Sequence, residues 1–169
     1  MRVTHTFEPV YDGNSEILVL GTFPSVKSRE SAFYYGHPQN RFWKVLAGLT
    51  GEEVPGSIAE KKALLLMHRI AIWDVIRSCE IEGSSDSSIR SVEANDIAGL
   101  LRASRIREIY GNGDKACQLY NRFCREQAGK EIRKLPSTSP ANAAFSLERL
   151  LECWSVILDA GGCTIKRTE

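Results

Sequence analysis

The sequence predicts an α/β fold, a three-layer α/β/α sandwich around a central four-stranded, mainly parallel sheet, in one domain covering residues 1–169. Short strand-like segments recur four times along the chain, and the first is an apolar run suited to burial on both faces. Stretches with helical apolar spacing alternate with them, and polar turn residues separate the two kinds. Strands alternating with helices imply a parallel sheet, because a right-handed crossover needs a helix between neighbouring parallel strands.

The first strand is residues 16–20, in which Ile17 to Leu20 form an unbroken apolar run that ends at Gly21. Residues 40–49 follow as a helix, with Phe42, Leu46 and Leu49 on one stripe. Ser57-Ile58-Ala59-Glu60 is a capping-box pattern, so a helix should run from there to about Arg69, before a second strand, Ile70 to Val75. A polar segment, Glu80 to Ser91, reads as an exposed loop through its run EGSSDSSIRS. Asn95 should start a short helix through Leu101, and Ile106 to Tyr110 is the third strand. Asp114 is suited to cap a helix reaching about Ala128, and Ile132 to Leu135 is the fourth strand. Ser146 begins a last helix, in which Leu147, Leu150, Leu151, Trp154 and Leu158 recur at helical spacing and place Trp154 in the core. The first 14 residues carry no pattern that assigns them.

A 169-residue chain with 43% hydrophobic residues and a net charge of +1 is long enough to bury a core and too balanced to suggest disorder. Its apolar runs are too short to cross a bilayer, and its start lacks the pattern of a signal peptide, so a cytoplasmic protein is expected, away from membranes. Five cysteines at 79, 117, 124, 153 and 163 form no C-x-x-C pair and do not gather with the three histidines. They read as reduced thiols, and neither a metal nor another cofactor is expected.

In parallel sheets, ligands bind outside the carboxyl ends of the strands. The segments there are Gly21 to Ser25, Trp73-Asp74, Gly111-Asn112-Gly113 and Pro136 to Asn142. They offer serine-rich turns, a carboxylate, an Asn-Gly turn and nearby aromatics. The glycine turn matches neither a dinucleotide fingerprint nor a P-loop. Ser137 and Ser139 have no histidine close in sequence, and no G-x-S-x-G elbow is present, although a fold could bring His37 to a serine.

Three segments in order carry a family resemblance: GTFPS after the first strand, HPQNRFW at the following helix, and LPSTSPAN after the fourth strand. Over roughly residues 15–160, the chain resembles the uracil-DNA glycosylase superfamily, and within it most closely the hypoxanthine-DNA glycosylase family. The resemblance implies a metal-independent, monofunctional enzyme, a monomer whose partner is damaged DNA. It would flip a deaminated base from the duplex and hydrolyse its N-glycosidic bond, with hypoxanthine from deoxyinosine as first substrate. Phe23 stands where classical members keep a water-activating aspartate, and Leu135 where they keep a histidine. The resemblance instead assigns the catalytic amide to Asn40, which at a helix head could also serve as a cap.

Base contacts would come from Thr22, Phe23, Tyr34, Asp74 and Asn112. Asp74 could accept from the N1–H of hypoxanthine, or cap a turn; Asn112 could touch a base edge, or form a turn. Phe23, Phe33, Tyr34 and Tyr35 are candidates for a stacking shelf, with room for one or two of them to act. Ser25, Ser137 and Ser139 would approach phosphates, Lys27 and Arg41 would add charge, and Ala141 or Asn142 would fill the space left by the flipped base. Two other readings stay open: a DNA-binding relative that recognises a lesion without hydrolysing it, and a small-molecule hydrolase on the same fold.

Overall fold

The computed structural model describes residues 1–82 and 88–160. Residues 83–87 of the expected loop, and Cys163, lie outside the described residues.

The chain opens with a short strand, β1 (Arg2–Thr4), and then β2 (Ile17–Gly21), which is buried at all five positions and therefore needs cover on both faces. The segment after it is more than a loop. It contains α1 (Val26–Ser31), capped by Ser25 and closed by Ala32 at φ 56°. A helix of six residues is too short for apolar periodicity to register. Helix α2 (Phe42–Thr50) buries Phe42, Val45 and Leu46, and α3 (Ile58–Met67) starts at Ser57, whose side chain accepts from Glu60 N–H at 3.1 Å.

Strand β3 (Ile70–Asp74) is followed, after Val75 alone, by β4 (Ile76–Glu80), and β5 (Arg90–Ala94) returns beside it. The three strands β1, β4 and β5 form a second, antiparallel sheet that the sequence reading missed. The polar segment is correspondingly shorter than expected. Charged residues on β4 and β5 hide their strand character, and β1 finds its partner only through a distant pairing of Val3 with Cys79. Asn95 does not begin the next helix; Asp96 caps α4 (Ile97–Arg102), while the Asn95 amide donates to the carbonyls of Asp74 and Ile76.

The third strand of the main sheet, β6 (Glu108–Asn112), starts and ends two residues later than expected, which puts Asn112 on the strand end rather than in a turn. Gly113, at φ 95°, is the cap residue of α5 (Asp114–Phe123), and Asp114 pairs with Lys134 at 3.1 Å instead of capping. Cys124 breaks the helix, and α6 (Arg125–Ala128) completes it. Strand β7 (Ile132–Leu135), α7 (Leu147–Trp154) and α8 (Val156–Ala160) end the described chain.

The main sheet is parallel throughout, in the order β3–β2–β6–β7. Alternate residues of β2 face opposite cores. Ile17 and Val19 pack with Phe42, Leu46, Leu65 and Trp154 on the side of α2, α3 and α7; Leu18 and Leu20 pack with Ile97, Leu119 and Tyr120 on the side of α4 and α5. Trp154 is fully buried, as its spacing implied. From β2 the chain runs first to β3 on one side and later to β6 on the other. The carboxyl ends of β2 and β6 thus flank a topological switch point, where such sheets leave a crevice.

Candidate active site

A cleft of about 520 Å³ opens at that switch point. Its walls bring together Gly21 to Ser25, Tyr34, Tyr35, His37 and Asn40, Asp74, Asn112, and the turn from Ser137 to Ala141. Of the expected site residues, Thr22, Phe23, Ser25, Tyr34, Asn40, Asp74, Asn112, Ser137, Ser139 and Ala141 all line it.

Asn40 is held by two hydrogen bonds to one atom. Its Oδ1 accepts from Phe42 N–H at 2.9 Å and from the Thr138 hydroxyl at 2.8 Å. A backbone N–H can only donate, so the amide orientation is fixed by chemistry. With both lone pairs of the oxygen used, the end of Asn40 left for a ligand is the Nδ2 donor. Thr138 is wholly buried and is itself clamped by Asn112: its N–H donates to Asn112 Oδ1 at 3.0 Å, and its Oγ1 accepts from Asn112 Nδ2 at 3.0 Å. Each bond in the chain Asn112–Thr138–Asn40 has a defined donor, so all three side chains lock together.

Asp74 ends β3 and is buried, with Oδ2 2.8 Å from Nε2 of His5. Its other oxygen, Oδ1, lies over Gly21, so close that a Cβ there would fall 2.4 Å from it. The Tyr35 hydroxyl would be 3.1 Å from the same Cβ, and it is buried, with the Asn112 side chain as its polar neighbour. Burial, then the charge of Asp74, pushes the Tyr34 and Tyr35 hydroxyls well above the ordinary phenol range, so both remain protonated.

The aromatics divide as their surroundings dictate. Phe33 is core, stacked on Trp43 with ring centroids 6.1 Å apart, and Tyr35 stacks on Phe42 at 4.0 Å. Tyr34 is buried and donates to Glu8 O at 2.8 Å. Phe23 is only partly buried, with the Arg29 guanidinium 5.7 Å from its ring centre. His37 accepts from Gln39 N–H at 3.1 Å through Nδ1, a bond that orders the loop ahead of Asn40.

The serines form two tight turns at the rim. Ser25 Oγ accepts from Ser28 N–H at 3.2 Å; Ser137 Oγ accepts from Ser139 N–H at 3.1 Å, and Ser139 Oγ from Ala141 N–H at 3.2 Å. Asn142 turns back, with Nδ2 on Ser137 O at 3.0 Å, and does not line the cleft. Lys27 lies outside the cleft lining, exposed, and 3.6 Å from Glu30. The Arg41 guanidinium also lies outside the lining: it donates to the carbonyls of Phe145, Ser139 and Asn142, fastening the rim turn to the head of α2.

Two contributors escaped the sequence reading. Thr138 lies within the LPSTSPAN segment, where nothing distinguishes it from its serine neighbours. His5 lies in the unassigned N-terminal stretch and carries no local signal at all. Among the described residues, no group of three or more His, Cys, Asp or Glu gathers as a metal site would require. No described helix is long and apolar enough to cross a membrane.

The chain is similar to known proteins over most of its length. The uracil DNA glycosylase superfamily model matches residues 8–158. A hypoxanthine DNA glycosylase of Methanosarcina acetivorans is 41% identical over 153 residues, which is 89% of this chain and 95% of that relative. A protein of the same name from Methanosarcina barkeri is 35% identical over 138 residues, 80% of this chain and 86% of its own. A solution NMR structure described as a uracil DNA glycosylase from Methanosarcina acetivorans matches with a TM-score of 0.80 at 36% identity, over 96% of this chain and 99% of that one.

Proposed function

Because this chain belongs to the uracil-DNA glycosylase superfamily, and within it to the hypoxanthine-DNA glycosylase family, we propose that it removes hypoxanthine from deoxyinosine in DNA and leaves an abasic site. The observation that carries the reading is the cleft itself, in which a locked amide, Asn40, and a buried carboxylate, Asp74, share one cavity at the switch point.

In this reading, the reaction breaks the bond between C1′ and N9. Its electron pair leaves with the base, the sugar passes through an oxocarbenium-like state, and a water oxygen bonds to C1′ and releases a proton to solvent, while the departing base takes one up from solvent to become neutral hypoxanthine. Asn40 has no free acceptor. Its Nδ2–H donates to one lone pair of that water and leaves the second lone pair aimed at C1′. Positioning of this kind replaces deprotonation, so a slower reaction is expected than one in which a carboxylate activates the water.

The flipped base sits against Phe23, with Thr22 and Asn112 at its edges and Asp74 accepting from N1–H. Stacking on one aromatic is worth about 1–3 kcal/mol, comparable with the cost of taking a base out of the duplex. Ser25, Ser137 and Ser139 approach the flanking phosphates, with Lys27 at the rim adding positive charge. Ala141, exposed at the tip of its turn, enters the vacated stack. Arg41 acts one step back, by holding that turn in place.

The test is to incubate the protein, and separately Asn40→Ala, with end-labelled duplexes carrying deoxyinosine or deoxyuridine, followed by alkali. Alkali-dependent cleavage at deoxyinosine, reduced at least ~100-fold by the substitution, is the expected outcome. Salt-sensitive binding without cleavage at either base would leave a lesion-binding protein.

A further inference from the structure

We infer that His5 is a positioning residue for base recognition: it commits one oxygen of Asp74 to the protein and so turns the other into an acceptor that selects bases carrying an N–H donor. The inference rests on the glycosylase reading above and adds to it the group that sets which base edge is read.

His5 follows β1, and its N–H donates to Arg77 O at 2.6 Å, which ties the segment to β4. It precedes the part of the chain that matches the superfamily, residues 8–158. The segment after β1 therefore brings a side chain from outside the matched core up behind Asp74, which lines the cleft. The ring is held on three sides, with centroids 4.4 Å from Phe7, 5.7 Å from Tyr34 and 6.2 Å from Phe23. Its Nε2 lies 2.8 Å from Asp74 Oδ2, with the two side chains only 2% and 5% exposed.

An ionised carboxylate can only accept, so Nε2 carries the hydrogen in this pair. A carboxylate buried this deeply without a partner would be strongly unfavourable, and the imidazole N–H supplies the compensation. With Oδ2 committed, Oδ1 over Gly21 is the oxygen left for a ligand. It favours a base edge with a donor, as at N1 of hypoxanthine or N3 of uracil. Adenine at N1 and cytosine at N3 present lone pairs instead, which oppose the carboxylate. The pair thus reads the chemical change that deamination makes. His5 also draws part of the Asp74 charge away from the base, which limits its opposition to the negative charge developing on the leaving group.

The experiment measures binding of hypoxanthine and of 1-methylhypoxanthine, whose N1 lacks hydrogen, by titration calorimetry. The wild-type protein is compared with His5→Gln, which keeps an N–H donor, and His5→Phe, which keeps the ring packing but loses the donor. Wild type and His5→Gln should prefer hypoxanthine by roughly tenfold or more, and His5→Phe should lower that ratio to about one. Addition of imidazole to His5→Ala should restore the preference, which gives a second test if His5→Phe does not fold.

Equal binding of the two bases by wild type would overturn the inference. So would a His5→Phe protein that binds both bases more weakly in the same proportion, because a purely structural role lowers both together. A deoxyinosine duplex assay run beside it separates the two levels: selectivity as expected without cleavage overturns the glycosylase reading, and cleavage with selectivity independent of His5 overturns this inference alone.

Discussion

The Thr138 hydroxyl donates to Asn40 Oδ1 at 2.8 Å, and this one bond joins the turn after β7 to the head of α2. Through Asn112 it also reaches the end of β6. Two strand-end segments and a helix head, remote in sequence, thereby fix a single amide. Thr138→Val keeps the shape and removes the hydroxyl, leaving buried polar atoms of Asn40 and Asn112 short of a partner. Stability should fall by about 1–3 kcal/mol in urea titrations. Single-turnover cleavage of deoxyinosine DNA should fall by roughly 10- to 100-fold, since small misplacement of a positioning group carries losses of that order. Thr138→Ser should retain most of both. Full activity in the valine protein would mean that Asn40 is oriented by Phe42 N–H alone.

Arg41 gives a test of structural against electrostatic roles. Its guanidinium donates to the carbonyls of Phe145, Ser139 and Asn142, so Arg41→Lys loses the planar fork while keeping the charge. Its activity on DNA should fall by about tenfold with the salt dependence of binding unchanged. Lys27→Ala, by contrast, should reduce the slope of log K against log salt by about one, as loss of a phosphate contact does. A flatter slope for Arg41→Gln, which removes the charge, would show that Arg41 meets phosphate after all.

Gly21 is required by proximity. A Cβ at this position would lie 2.4 Å from Asp74 Oδ1 and 3.1 Å from the Tyr35 hydroxyl. Gly21→Ala should therefore destabilise the protein by about 1–3 kcal/mol, the usual range for overpacking. It should also displace the carboxylate and abolish measurable binding of free hypoxanthine. Unchanged base affinity would move base recognition away from Asp74.

Alkaline pH should weaken the fold through α5 and its end. Burial pushes the Cys124 thiol from 9.0 up to about 11, and the Tyr120 hydroxyl from 10.0 to about 12. Both groups hold their protons longer folded than unfolded. The stability they contribute is present below the unfolded values and is lost as pH rises through the folded ones. The unfolding free energy should accordingly hold steady up to about pH 9 and then decline towards about pH 12. Cys124→Ala should flatten the first part of that decline; an identical pH profile would assign it to other groups.

Within this protein, features that depend only on neighbouring residues were legible in the chain. The apolar run of β2, the stripe that buries Phe42 and Leu46, the Ser57 and Ser146 caps and the core position of Trp154 are all local patterns, set by strand and helix periodicity and by caps within a single turn. Those patterns also named most of the cleft, because ligands gather at the ends of parallel strands and the strands were legible. How those groups act depends on contacts between distant segments. Asn40 meets Thr138 across 98 residues, His5 meets Asp74 across 69, and Val3 pairs with Cys79 to build a sheet with no strong pattern of its own. Whether Asn40 offers a donor or an acceptor, and which oxygen of Asp74 is free, follows from hydrogen bonds between distant segments, and a hydrogen bond depends on where two groups lie in space rather than on what stands beside either in the chain.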